Sequence, residues 1–340
     1  MTRVFLTGAS GFVGAHILRI LLDRGHTVLA SVRSQTKADQ IRRGYPGVPS
    51  STLDFVVVED ITLEHAYDEA LSTTPPVEVV IHAASPLNLN TDLANVERDV
   101  LRPAVLGTTR LLDAVHAHGS SVRRVVVTSS VITIMKPVDS KYLFSDSDWN
   151  YLTDEQTHSS GTLAYAGSKI AAERAVWSFL EERKPSFSVT TILPPVVLGP
   201  VRHDFASLDS INDSGRQICN FINGEFKEEL PESQFAVWVD VRDAALAHVR
   251  AFEVAEAGNK RFIVYAGTYS NREVANILWD HFPALRSKLP GSEVSGGEFP
   301  EAGVNRVDNE PSRKILGINY RSLEDSVVDM TGSLIGLYKP

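Results

Sequence analysis

Short apolar runs separated by amphipathic stretches recur along the first two hundred residues. Residues 2–7, 27–32, 55–58, 79–81, 124–127 and 189–193 are rich in Val, Ile, Leu and Phe. Runs of that length, bounded by turn residues, predict buried strands rather than helices. Between them, apolar positions return at three- to four-residue spacing. Ile17, Leu18, Leu21 and Leu22 form one such face. A long helix is expected over roughly 95–118, and another opens near Gly161 and carries Ala171, Ala172, Ala175, Val176 and Phe179. Strands alternating with helices at this rhythm connect by right-handed crossovers, which predicts an α/β fold with a doubly wound parallel sheet. From about 200 to 235 the alternation gives way to polar, irregular sequence. Residues 235–239 and 262–265 read as further strands, and residues 240–243 open a helix with an acidic first turn. The remainder, with Pro or Gly at 283, 290, 291, 296 and 297, reads as a smaller, mostly helical C-terminal lobe. The expected division is 1–193 plus 236–268 for the sheet domain, and 194–235 plus 269–340 for the lobe.

Composition narrows the function. A chain of 340 residues is long for a single core, in keeping with one large domain and a smaller lobe. Hydrophobic residues make up 43% and mean hydropathy is -0.06, ordinary values for a water-soluble globular protein. No apolar run approaches the roughly 20 residues of a membrane span. The first strand starts too early for a signal peptide, so a cytoplasmic protein is expected. Cys219 is the single cysteine, which excludes an internal disulfide or a cysteine-rich zinc site and reads as a packed apolar side chain. No metal site is expected. A net charge of -9 opposes generic attraction to nucleic acid or anionic membrane. The partner is expected to be a small molecule, and the chain a monomer or a homodimer.

The candidate chemistry begins at Gly8-Ala9-Ser10-Gly11-Phe12-Val13-Gly14. A strand feeding glycines and then a helix presents a helix N-terminus to a pyrophosphate. At the end of the second strand, a carboxylate would accept from the 2′-hydroxyl of NAD. Here Arg33 stands there, with Lys37 four residues on and no acid before Asp39, which favours the 2′-phosphate of NADP. Asp60 follows the third strand, where it can meet an adenine amino group or cap the next helix. His82 reads as a packed, hydrogen-bonded histidine, and the small Ala83, Ala84 and Ser85 let backbone lie against a cofactor. The long polar stretch 136–160, with Asp146, Asp148, Trp149 and Asn150, is expected to be functional. Tyr165 and Lys169 stand at i and i+4 and share one helix face. An ammonium there favours the phenolate and brings a phenol of pKa near ~10 toward neutral working range. Ser129 and Ser130 close the fifth strand.

Together these residues resemble the extended short-chain dehydrogenase/reductase family. The resemblance rests on Gly8-x-x-Gly11-x-x-Gly14, Asp60-Ile61, His82-Ala83-Ala84-Ser85-Pro86, Thr128-Ser129-Ser130, Tyr165-x-x-x-Lys169 and Asp240-Val241-Arg242-Asp243. Residues 30–35, 148–150 and 239–243 look most like the fungal NADPH-dependent carbonyl reductases of that family, relatives of plant dihydroflavonol and cinnamoyl-CoA reductases. The resemblance implies a Rossmann domain that binds NADPH and reduces aldehydes or ketones to alcohols. It makes Tyr165 the proton donor, Lys169 the residue that holds the nicotinamide ribose and lowers the tyrosine pKa, and Ser130 the partner of the carbonyl. It assigns Gly8, Ser10, Gly11, Phe12 and Val13 to the pyrophosphate, Arg33 and Lys37 to the 2′-phosphate, and Asp60 and Ile61 to the adenine. Ala83, Ala84, Ser85 and Thr128 join the cofactor site, and Pro194 and Val197 face the nicotinamide. Ser85, Pro86, Met135, Thr162, Val196 and Trp238 are the expected substrate pocket. Leu106 takes the place where many members carry an asparagine that supports a water-linked proton relay. Two alternatives share the scaffold: a nucleotide-sugar epimerase or dehydratase, and a non-catalytic NADP sensor.

Overall fold

The computed structural model describes residues 1–85, 92–137, 142–202, 213–233, 236–299, 303–304 and 306–337. The first half runs β1 (Arg3–Thr7), α1 (Phe12–Asp23), β2 (Thr27–Val32), α2 (Gln35–Arg43), β3 (Leu53–Val57), α3 (Asp68–Leu71) and β4 (Val79–His82). There follow α4 (Arg102–His118), β5 (Arg124–Thr128), β6 (Leu143–Phe144), α5 (Asp154–Thr157), α6 (Gly161–Arg183), β7 (Ser188–Leu193) and β8 (Val196–Leu198). The chain continues through α7 (Asp213–Asn223), β9 (Val237–Asp240), α8 (Val241–Glu253), β10 (Lys260–Ile263) and β11 (Gly267–Thr268). It closes with α9 (Asn271–His281), β12 (Arg306–Val307), α10 (Glu310–Lys314) and α11 (Leu323–Leu337).

Seven strands form one sheet in the order β10-β7-β5-β4-β1-β2-β3, every pair parallel. The order reverses beside β1, and ligands of open α/β sheets bind at the carboxyl ends of strands at such a switch point. Alternation along β1 feeds two cores. Val4 and Leu6 face α1 and α8, where Ile17, Leu18, Ala244 and Ala247 pack. Phe5 faces the opposite layer with Leu111, Leu112 and Val176 from α4 and α6. All three side chains are fully buried, each contributing roughly 1.5–3 kcal/mol relative to exposure.

Two expectations need correction. Residues 237–240 do not lie in the central sheet; β9 pairs with β8 and β11 in a separate three-stranded sheet. Its short apolar run is that of any buried strand, and only its partners decide which sheet it joins. The stretch read as irregular contains α7, whose Ile218, Phe221 and Ile222 are buried in the lobe core. Its Ser, Arg, Gln and Asn positions hide that apolar face from a reading of composition. Cys219 is buried on the same helix, and burial pushes its thiol pKa up, as befits a packed apolar group.

The lobe core also takes in Phe12, Trp238, Tyr269, Leu278 and Met330. Phe12 belongs to the first turn of α1, so the glycine turn sits where sheet domain and lobe meet. The acidic residues after β9 lock the C-terminal segment down. Buried Asp240 accepts from Arg242 at 2.7 Å and from the Ser326 hydroxyl of α11 at 2.6 Å, and Arg321 pairs with buried Asp243. No helix among the described residues is long and apolar enough to cross a membrane.

Candidate active site

The glycine turn is shaped by close approach. Gly8 has φ of +76°, and a Cβ there would lie 2.7 Å from the backbone of Ala83 and of Ala84. The Gly11 amide donates to the Gly8 carbonyl at 2.9 Å, and a Cβ on Gly14 would collide with that same carbonyl oxygen. Gly11 caps α1 without a side-chain hydrogen bond, and no acid stands in the first turn. The positive end of α1 is therefore open to an anion.

Across the switch point, the Ala83 amide donates to the Thr7 carbonyl at 3.3 Å and the Ala84 amide to the Thr7 hydroxyl at 3.1 Å. Thr7 Oγ1 lies 2.8 Å from Nδ1 of buried His82. Burial, followed by the Lys169 charge, pushes the His82 pKa down to about 3, so the ring is neutral and structural, as its sequence setting predicts.

Ser10 and Lys37 line a common cavity of about 230 Å³ with Gln40, Tyr45 and Arg202. Arg33 is exposed beyond the end of β2 and is not among the residues lining that cavity. Asp60 accepts from the Thr62 amide at 2.8 Å and the Thr62 hydroxyl at 2.7 Å. Those bonds, with a smaller contribution from Arg33, hold its carboxyl below the usual range. Ile61 packs against Gly107 of α4, where a Cβ would meet its side chain at 2.6 Å.

Tyr165 and Lys169 project from α6. Ser160 caps this helix, accepting from the Leu163 amide at 3.2 Å. Tyr165 is half-buried and Lys169 is 7% exposed, with Nζ 6.0 Å from the Tyr165 ring centroid. Burial pushes the Lys169 pKa down to about 8, and the Glu173 charge opposes the fall. Among the described residues the ammonium has no hydrogen-bond partner. An ammonium on the Tyr165 face of α6 suits ribose hydroxyls, and the open N-terminus of α1 suits a pyrophosphate.

The two serines after β5 divide. Ser129 donates to buried Glu173 at 2.6 Å. Ser130 Oγ accepts from the Ile132 amide at 3.3 Å, which leaves its own proton to donate elsewhere. Thr128 is less available than the motif suggests. Its hydroxyl lies 2.8 Å from Nε2 of His248, whose Nδ1 donates to the Ala244 carbonyl at 2.7 Å. The Thr128 side chain thus ties β5 to α8, and only its backbone remains for a cofactor.

The other expected positions differ in exposure and in partners. The Pro194 carbonyl accepts from the Val131 amide at 3.1 Å and the Val197 carbonyl from the Ser214 hydroxyl at 2.5 Å, which fixes the strand end between them. Val196 and Met135 are half-buried, Ser85 likewise, and Thr162 is exposed at the start of α6. Trp238, at 3% exposure, packs in the lobe core. Pro86 lies outside the described residues. Leu106 is an apolar position within α4 and offers no polar group to a relay. No group of three or more His, Cys, Asp or Glu among the described residues is placed to hold a metal ion.

Sequence reasoning missed Glu173 and Arg261. Glu173 accepts from Arg261 Nε at 2.8 Å and from the Thr191 hydroxyl at 2.8 Å, besides Ser129. Against the pull of burial, Arg261, then the Ser129 and Thr133 hydroxyls, hold its carboxyl below the usual range. The spacing from Lys169 to Glu173 repeats that from Tyr165 to Lys169, and this was the one available signal.

Comparison with known proteins agrees with this geometry. The family model described as NAD dependent epimerase/dehydratase matches residues 4–267. A ketoreductase of Aspergillus niger, azaE, is 37% identical over 98% of this chain and 97% of its own length. The NADPH-dependent methylglyoxal reductase GRE2 of Saccharomyces cerevisiae is 34% identical over 98% of each chain. The crystal structure of Gre2 from Candida albicans in complex with NADPH superposes with a TM-score of 0.88 at 31% identity, covering 100% of both chains. The sheet order, the glycine turn and the Tyr165–Lys169 pair thus place this chain in the NAD dependent epimerase/dehydratase family, the extended short-chain dehydrogenases/reductases.

Proposed function

We propose that this protein reduces aldehyde or ketone carbonyls to alcohols with NADPH. The observation that carries the reading is the buried Lys169 side chain, one helical turn from Tyr165 with its ammonium 6.0 Å from the phenol ring centroid. The relatives named for ketone and methylglyoxal reduction add their weight.

NADPH, when bound, supplies the hydride. The α1 N-terminus, with Gly8, Ser10, Gly11, Phe12 and Val13, would hold its pyrophosphate, and Arg33 and Lys37 its 2′-phosphate. Lys169 would hold the nicotinamide ribose, and Asp60, Ile61, Ala83, Ala84, Ser85, Pro194 and Val197 would flank the rest. Tyr165 gives its phenolic proton to the carbonyl oxygen as negative charge develops there. Lys169, one turn along α6, favours the phenolate left behind. Ser130, with its acceptor side engaged by the Ile132 amide, donates to the same oxygen. Donors fixed before reaction, as Ser130 is by the Ile132 amide, are how hydrogen bonds lower such barriers most. Residues 1–193 with 241–268 would form the cofactor domain, and the remainder, including β9, the lobe that shapes the carbonyl pocket.

The test is oxidation of NADPH and NADH with a panel of aldehydes and ketones, for the wild type and Arg33→Ala. The expected result is a preference for NADPH that shrinks about tenfold or more in the variant, the scale of one lost charge-assisted contact. Equal use of both cofactors by the wild type, or turnover only with sugar nucleotides, would contradict the reading.

A further inference from the structure

Among the described residues, the buried Glu173–Arg261 pair makes no hydrogen bond to the side chains of Ser130, Tyr165 or Lys169, and it belongs to none of the motifs quoted above. Its bonds converge on one residue. On one side, Glu173 Oε2 accepts from Ser129 at 2.6 Å, and Ser129 is the chain neighbour of Ser130. On the other, Arg261 Nη2 donates to Thr133 Oγ1 at 3.1 Å, and the Thr133 hydroxyl donates to the Ser130 carbonyl at 2.8 Å. Ser130 is thus held from its N-terminal side through a neighbour and from its own carbonyl through a relay. Both paths start at one ion pair.

That pair is itself rigidly set. Glu173 is 2% exposed and Arg261 8%. Besides Arg261 and Ser129, Glu173 takes the Thr191 hydroxyl of β7 at 2.8 Å and the Trp177 indole of its own helix at 3.4 Å. Arg261 Nη1 donates to the carbonyls of Asp146 at 2.8 Å and Asp148 at 2.6 Å, and its guanidinium lies 3.9 Å from the Trp149 ring centroid. Asn150 of the same segment donates from its amide to the Thr133 carbonyl at 2.7 Å and from Nδ2 to the Ile132 carbonyl at 3.0 Å. The turn after Ser130 is therefore clamped from the far side as well. Glu173 stands two helical turns from Tyr165 and one from Lys169 on the same face of α6.

We propose that Glu173, anchored by Arg261, is the positioning residue of this site, fixing the Ser130 hydroxyl relative to the Tyr165–Lys169 face of the helix they share. The proposal rests on the reductase reading, in which Ser130 and Tyr165 address one carbonyl oxygen. Preorganised donors act only when aimed at the position the charged oxygen takes, and small misplacements are felt steeply in rate. Ser130, in the turn after β5, and Tyr165, on α6, would drift independently without a common anchor. The buried pair supplies one, satisfied on every side.

Replacing Glu173 or Arg261 alone leaves its partner's charge buried and uncompensated, which threatens the fold itself. The hydroxyls that carry the two paths are the better targets. Ser129→Ala cuts one and the near-isosteric Thr133→Val cuts the other. Each is made in the wild type and in Ser130→Ala, with single-turnover rates keeping the slow background measurable. Thermal midpoints and NADPH affinity are followed alongside, and Tyr165→Phe serves as a control.

Ser130→Ala is expected to lower the chemical step by ~10²-fold, the scale of one lost donor to an oxyanion. Ser129→Ala and Thr133→Val are each expected to lower it about tenfold in the wild type, leaving NADPH affinity within about twofold. In Ser130→Ala both losses are expected to shrink below about twofold, because no hydroxyl remains to be aimed. Equal losses in both backgrounds, or none in the wild type, would overturn the positioning role while an inactive Tyr165→Phe leaves the reductase reading standing. A Tyr165→Phe enzyme as fast as the wild type would overturn both.

Discussion

At the scale of single residues, the site is a set of displaced ionisation equilibria. His82 and His248 are fully enclosed, and burial pushes them down to about 3 and about 4. Both are neutral hydrogen-bond links in working conditions. Lys169 is the exception that stays useful, because burial lowers it only to about 8 while Glu173 opposes the fall. Below that value the ammonium is present, and Tyr165 works beside a positive charge. As pH rises through about 8 the charge is lost. For carbonyl reduction, kcat/KM is therefore expected to be level below about pH 8 and to fall above it. Lys169→Arg, whose guanidinium does not titrate in this range, is expected to remove that limb from whatever activity remains. A pH–rate profile whose limb persists unchanged in Lys169→Arg would contradict this assignment.

At the scale of elements, the turn from β1 into α1 is a packing problem before it is a binding site. A Cβ on Gly14 runs into the Gly8 carbonyl, whereas one on Gly11 would sit 3.3 Å from the same oxygen. Gly14→Ala is expected to destabilise the fold by about 1–3 kcal/mol and to weaken NADPH binding, the usual scale for forced overpacking. Gly11→Ala is expected to cost well under that in stability. Denaturant unfolding of both variants checks the contrast, and equal stability losses would show that the close approach of α1 to β1 is not what the third glycine secures. The helix α6 makes a second point. Its hydrogen-bonding face carries Tyr165, Lys169 and Glu173, and only the first two advertise themselves by type. Glu173 is bound to groups that lie 44, 18 and 88 positions away in the chain, at Ser129, Thr191 and Arg261. No local pattern announces such a cluster.

At the scale of the whole molecule, the sheet and the glycine turn were legible because they rest on short-range rules. Apolar runs of strand length, helical periodicity between them, and glycines at the first crossover anticipate the seven-stranded parallel sheet. What stayed hidden depends on partners. The strand β9 carries an ordinary short apolar run, and only its pairing with β8 and β11 takes it out of the central sheet. Thr128 sits in a recognisable motif, yet its hydroxyl meets His248, 120 residues later. The acidic motif at residues 240–243 reads as a family mark, and in the structure Asp240 and Asp243 bind the C-terminal segment through Ser326 and Arg321. That segment closes the lobe whose core includes Phe12 at the mouth of the glycine turn. The glycine turn and the lobe are thus parts of one packed unit.

The measurement that bears most directly on the central claim is single-turnover carbonyl reduction by Tyr165→Phe, with NADPH affinity determined on the same preparation. Removing one hydroxyl from a half-buried ring keeps the ring's packing on α6 while deleting the proposed proton donor. The account predicts a loss of about 10²–10⁴-fold in the chemical step, with NADPH affinity within about twofold of the wild type. Turnover close to that of the wild type would mean that Tyr165 does not deliver the proton, and the proposed reaction at this site would be wrong.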